Sequence, residues 1–371
     1  MKRRVAITAG TAWLMAGSAI AQAPDAAERA LRLQAGEAAL ERGDAAAAMA
    51  AFERAAETEH ALDIELGIVH SAMQAGRYRS ALQFAAHTAG AHADAPEGAV
   101  LYAWLLAIGG QLQMAHRTLA QAEARLPGNG LIARARHALA VAAPPPADPP
   151  LTDLRVAPHS SGNLPPGSRV VATGFSIPGS GFAVAPSAAL PQGARIWSRN
   201  GLGMLLAMRI EGVIDALGLT VLRRAGAGPA VSEWPQVTLA EHDPFPGSPA
   251  MSIQHVAPGH SAAAAWPWLH HGFLGATTAS GTRRLGIDLP PGPHGGPVFD
   301  SAGRWIGIAI RATHDEPSRL LLPSMLREHL AGVVDGAAAA ASATSADAGR
   351  MPADAVYERA LALVLQIVCE A

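Results

Sequence analysis

The sequence predicts a multidomain chain, an all-α unit followed by an all-β unit, and three observations carry that reading. Glycines recur at Gly43, Gly76 and Gly110, 33 and 34 residues apart, within a stretch rich in Ala, Leu, Glu and Arg at helical spacing. A proline-rich break, Val141 to Asp153, ends that stretch. Beyond it the chain changes to short apolar runs divided by Gly and Pro, the pattern of β-strands and tight turns.

The chain opens on Lys2, Arg3 and Arg4, an apolar run, and Ala19-Ile20-Ala21. A basic start, a short apolar centre and small residues at a cleavage point are the marks of an export signal over residues 1–21. The apolar run is too short to favour a membrane span. Export implies a bacterial periplasmic or secreted product. Removal of the three basic residues leaves 25 basic side chains against 30 acidic ones, a formal charge of −5. Such a balance gives no footing for nucleic acid. Cys369 is the one cysteine, so no bridge forms within the chain. In an oxidising compartment it would be available to join another chain, or else it is a small buried apolar residue.

Residues 24–142 form the helical unit. Five positions beyond each repeated glycine stand Ala48, Ala81 and Ala115. Phe52 and Ala55 follow in the first unit, Ala122 and Pro127 in the third. Glycine suits the turn between paired helices, and alanine lets the second helix approach the first. Each pair then buries its remaining face by stacking on the next. This resembles three tetratricopeptide repeats over residues 29–128, closed by the helix "LIARARHALA". The resemblance implies a solenoid with a concave groove for a protein or peptide ligand.

A semi-rigid linker spans 143–164. The β unit covers 165–334 and ends in the helix "PSMLREHLAG". A flexible linker at 335–351 leads to an apolar segment, 352–371, too short to span a bilayer and readable as helix then strand.

The β unit resembles trypsin-like peptidases of the HtrA type. "RVVATGFSIPGSGFAVAP" looks like the family's first strands, "GSPAMSIQH" like the strand opening the second barrel, and "SRLLLPSMLREHL" like its closing strand and helix. "GPHGGPVFDSAGRWIGIAI" matches the nucleophile loop and the strand after it. The terminal "MPADAVYERALALVLQIVCEA" is similar to the helix and strand with which such domains begin. The resemblance implies a trypsin-like double β-barrel and, in active members, a Ser-His-Asp triad.

The triad is not intact. His294 stands at the serine position and Gly218 at the aspartate position. Asp215 would be the carboxylate only if the alignment slips by three residues. The family's histidine segment after the second strand is missing or shortened, and no histidine lies from Ser160 to Glu241. A serine hydroxyl is inert without an imidazole to take its proton, and that imidazole needs a carboxylate to orient it. What the resemblance leaves is the oxyanion loop, with backbone donors at Gly292 and His294 beside Gly295. His159, just ahead of the histidine-free span, would weaken this reading if it reached the cleft.

His242, His255, His260, His270, His271, His294 and His314 show no zinc-ligand spacing, so no metal or other cofactor is expected. On a strand, His270 and His271 would point apart. Trp266 and Trp268 either line a binding surface or cover a barrel end. Three function classes remain: a non-catalytic pseudoprotease that binds protein or peptide as a scaffold or adaptor in envelope quality control, an active serine endopeptidase with a rearranged triad, and a domain that only gives structural support to an assembly.

Overall fold

The structure, a computed structural model, describes residues 26–140, 157–226, 237–255, 262–290, 292–311, 317–331 and 349–370. The export signal, most of both linkers, His260 and His314 lie outside the described residues.

Seven helices form the N-terminal part: α1 (Ala26–Glu41), α2 (Ala45–Ala56), α3 (Leu62–Gln74), α4 (Tyr78–Ala91), α5 (Pro96–Ile108), α6 (Leu112–Arg125) and α7 (Gly130–Ala140). The first six are three antiparallel pairs, and one device repeats at each turn. Gly43, Gly76 and Gly110 take φ of 75°, 72° and 82°. The N–H after each glycine returns to a carbonyl five residues back: Asp44 to Ala39, Arg77 to Ala72, Gln111 to Leu106. Each glycine N–H reaches the carbonyl three back. This is the Schellman closure, which needs a left-handed residue where only glycine is unstrained. Ala48, Ala81 and Ala115 are fully buried at the helix crossings. The three pairs are tetratricopeptide-like helical repeats in form, with the repeated glycines at their turns.

The remainder is two closed six-stranded barrels. The first holds β1 (Arg169–Ser176), β2 (Phe182–Pro186), β3 (Ile196–Asn200), β4 (Leu205–Ile214), β5 (Leu219–Arg224) and β12 (Val364–Cys369). The second holds β6 (Pro249–Gln254), β7 (Trp268–Thr277), β8 (Arg283–Ile287), β9 (Pro297–Phe299), β10 (Trp305–Ile310) and β11 (Arg319–Leu321). Helix α8 (Pro323–His329) follows, and α9 (Ala353–Ala360) precedes β12.

Around the second barrel the order is β6-β7-β8-β11-β10-β9, closing on β6. Numbered along the chain, its strands run first, second, third, sixth, fifth, fourth. The first barrel runs β12-β1-β2-β5-β4-β3, closing on β12. It has the same order only when β12 is counted ahead of β1. The two barrels are therefore topological repeats, and the first receives its opening strand from a segment placed after the second. The segment 352–371 is not an appendage. It is α9 plus the strand that pairs with β1 along Arg169–Phe175 and with β3 along Ile196–Asn200. Together the parts make an all-α repeat solenoid joined to a trypsin-like double β-barrel with its first helix and strand permuted to the end.

Burial agrees with that role. Leu363, Val364, Ile367 and Val368 have no exposed surface, and Leu365 has 4 %. Cys369 is 1 % exposed and faces the first barrel's interior with Ile196, Leu222 and Ile367. Burial pushes its thiol up to about 11. Of the two readings of Cys369, this burial favours the small apolar residue over a bridge to another chain.

Helices and barrels share one apolar cluster. Tyr78 meets Tyr357 of α9 edge-on at 4.6 Å, and Trp104 meets Trp268 at 5.1 Å. The Tyr357 hydroxyl donates to Pro267 O at 2.7 Å, and the Arg79 N–H donates to Glu358 at 2.7 Å. The three repeat turns rest on this seam. A Cβ at Gly43 would strike His159, at Gly76 Leu202, and at Gly110 Leu269 and His271. α9 and the Trp266–Trp268 strand entry pack directly on the repeats, so the contact between helices and barrels is more than the linker. Trp266 and Trp268 are buried in that seam, 3 % and 5 % exposed, rather than open to a partner.

Candidate active site

Between the barrels lies the loop that ends at β9. β1 supplies one wall through Thr173. Its hydroxyl accepts from His255 N–H at 3.0 Å, and its N–H donates to Pro293 O at 3.4 Å. β2 ends at Pro186, whose ring sits where a Cβ on Gly295 would go, 2.7 Å away. β10 supplies the floor through Arg311, which bridges to His294.

The chain after β2 is not lost. It forms a tight 3-10 turn, Ser187–Ala189, whose Ser187 N–H donates to Gly218 O at 2.9 Å. This turn adjoins the His294 loop through Pro186. It is where a catalytic base would stand in an intact member of the resembling family, and it carries Ser187, Ala188 and Ala189. Gly218, at the aspartate position, has φ 65° and no side chain to orient an imidazole. Asp215 is exposed on the β4–β5 turn. His159 lies against the Gly43 turn and its carbonyl against Gly203, at the helix–barrel seam.

His294 itself is 1 % exposed. Its Nε2 lies 2.5 Å from Pro290 O and 2.9 Å from Arg311 Nη2. Arg311 holds the loop from below: its Nε donates to Gly292 O at 3.2 Å and its Nη2 to Pro290 O. The His294 N–H, one of the two donors the oxyanion loop would need, donates to Arg311 O at 3.1 Å. It is therefore not free for a developing oxyanion.

Burial pushes the His294 imidazole down. The Arg311 charge adds to this and Pro290 O works against it, leaving the ring at about 4. Its Nδ1 is buried without a hydrogen-bond partner. The ring so held lies under the Arg311 guanidinium, and no carboxylate is among its hydrogen-bond partners. His270 stands close by and is held at about 3, first by burial and then by His294 and His271. His271 leaves the strand on the other side, against the Gly110 turn. His255 is also fully buried and held at about 3, by burial and by the Arg199 charge. His242 is exposed beside Glu241. Among the described residues, no three His, Cys, Asp or Glu side chains are grouped to hold a metal ion, and no helix is long and apolar enough to cross a membrane.

Sequence reasoning finds His294, Gly218 and the gap in the histidine segment. It misses Arg311, the residue that organises the loop. The available clue is an arginine directly after the wholly apolar Trp305–Ile310, where a strand end in the core would otherwise stay neutral.

No protein-family model matches the chain, and no curated protein matches it. Among the solved structures that match, two illustrate the local likeness. A mutant O-GlcNAc transferase from Thermobaculum terrenum matches 32 % of this chain and 23 % of its own, at 16 % identity and a TM-score of 0.28. A serine endoprotease from Yersinia pestis matches 46 % of this chain and 63 % of its own, at 12 % identity and a TM-score of 0.36. The matched part thus spans under a quarter of the first and just under two thirds of the second, and what the chain is similar to is a fragment of each.

Proposed function

We propose that this chain is a non-catalytic member of the trypsin-like fold, an exported pseudoprotease that binds a protein or peptide partner as a scaffold or adaptor. The observation supporting the reading is the state of His294. The nucleophile position holds a buried neutral imidazole pinned by Arg311 and Pro290, with its N–H committed to Arg311 O. Chemistry would need a base at Ser187–Ala189 and a carboxylate at Gly218, and neither residue type is there. Acyl transfer loses several orders of magnitude in rate when a single triad member is removed, and here no member stands in place. What remains is a rigid surface: three repeats fixed to two barrels through a shared core.

The test is capture on the immobilised chain, from an envelope extract of its own host, with a heat-unfolded chain as control. Partners retained at full length, and recovered unchanged after long incubation, support binding without cleavage. Partners that shorten with time on the native chain alone would favour the endopeptidase reading.

A further inference from the structure

A cavity of about 520 Å³ opens against β6 and β7 of the second barrel. Three pieces of the chain meet there. On the two strands Pro249 stands opposite Phe273 and Met251 opposite His271, so these four side chains share one face of the sheet. The turn after β9 adds Ser301, and the lead-in to α9 adds Arg350 and Met351. That lead-in is pinned. The Met351 N–H donates to Ser301 O at 2.8 Å, and the Met351 thioether lies where a Cβ on Gly303 would go.

The lining is mostly apolar, with one permanent charge. Met251 and Met351 give adaptable surface, and the Phe273 ring is 61 % exposed. Arg350 carries the charge. Burial pushes the His271 imidazole down, so it adds no charge at neutral pH. No carboxylate lines the cavity. The two that stand close in sequence are committed elsewhere, Asp354 to Arg79 at 3.3 Å and Asp300 to Arg304 at 2.7 Å.

The walls offer little to a peptide backbone. β6 pairs with β7 from Pro249 to Gln254. Pro249 and Pro352 have no N–H, and the Met351 N–H is already used. A ligand with an apolar body free of amides and a single anionic end suits the cavity better. We infer that it binds a fatty acid, with the acyl chain against Met251, Phe273 and Met351 and the carboxylate at Arg350. The volume falls within the range of ligand pockets, and a guanidinium meets a carboxylate through two parallel hydrogen bonds. The inference goes beyond the reading of the His294 loop and does not depend on it.

The experiment uses the full exported chain. Hexanoate, octanoate, decanoate and the neutral decanol are titrated below their micellar concentrations, with binding read by calorimetry. One decanoate should bind per chain, and each added methylene should tighten binding by up to about fourfold. Decanol should bind more weakly than decanoate. R350Q should weaken decanoate by about threefold or more and leave decanol unchanged, since it removes only the charge pair. Phe273→Ser should weaken both. Both side chains are exposed, so neither variant threatens the fold. A photoreactive decanoate analogue should label β6, β7 or residues 349–353. No binding of decanoate at millimolar concentration would overturn the inference. So would equal binding of decanol, wild-type affinity for decanoate in R350Q or in Phe273→Ser, or labelling confined to other parts of the chain.

Discussion

Removing residues 350–371 abolishes folding of the first barrel: the truncated chain is expected to be insoluble, or to lose the near-ultraviolet signal of its packed aromatics. The reason is the place of β12. It lies between β1 and β3, so its loss leaves two strands without partners in the middle of a closed barrel. Leu363, Val364, Leu365, Ile367 and Val368 leave the core together. At about 2 kcal/mol for each aliphatic side chain, that is on the order of 10 kcal/mol, as large as the whole stability of an ordinary domain. Arg199, 3 % exposed, also loses Gln366 Oε1, which accepts from its Nε at 2.8 Å. A buried guanidinium without that partner is a further penalty. The rescue is specific. Residues 350–370 re-inserted through a short linker immediately ahead of Arg169 should restore solubility and tryptophan packing, because the barrel needs the strand and not its position in the chain. A truncated chain that folds with unchanged aromatic spectra would show that β12 is not a barrel strand.

The second large effect is loss of stability in mild acid. His255 and His270 are held at about 3 and His294 at about 4, while an unfolded histidine titrates near 6.5. Above pH 6.5 both states leave the rings neutral, and the full stability is present. As the pH falls from 6.5 toward 4, the unfolded chain takes up protons that the folded chain refuses, so stability falls. Each such ring contributes a slope of up to about 1.4 kcal/mol per pH unit, and three together roughly 4 kcal/mol per pH unit. Urea midpoints measured from pH 7.5 to 4.5 should drop steeply below pH 6.5. Single variants His255→Gln, His270→Gln and His294→Gln should each flatten the curve by about one proton. Parallel curves for wild type and all three variants would mean that these rings titrate normally in the fold.

Different parts of the molecule were legible to different degrees, for physical reasons. The repeat turns were readable because a left-handed closure admits little besides glycine, so Gly43, Gly76 and Gly110 carry the period openly. The "GPHGGPVFD" loop was readable because its glycines and proline meet local backbone demands. Ring order is another matter. Nothing local to "VLQIVC" says that it pairs with β1 and β3, since pairing between distant strands is decided by the tertiary fold. The terminal segment's likeness to an opening helix and strand was visible, but its place was not. The same holds for the seam. Trp266 and Trp268 read equally well as surface or core until Trp104 is seen against Trp268 and the Tyr357 hydroxyl on the Pro267 carbonyl between them. Arg311 escaped because its partners are backbone carbonyls, which leave no trace in the residue pattern.

The central claim, a protease-like fold that does not cut, is tested most directly with a fluorophosphonate probe, which reacts only with activated serines. Wild type and His294→Ser are incubated beside active trypsin, and adducts are located by mass spectrometry after circular dichroism has shown that the variant is folded. The new hydroxyl would have no imidazole at Ser187–Ala189 to take its proton and no carboxylate at Gly218, and its own N–H would still face Arg311 O. The account predicts no adduct on any serine of either protein while trypsin labels fully. An adduct on any wild-type serine, or on position 294 of the variant, would contradict it, because an activated serine requires a base that this structure does not place there.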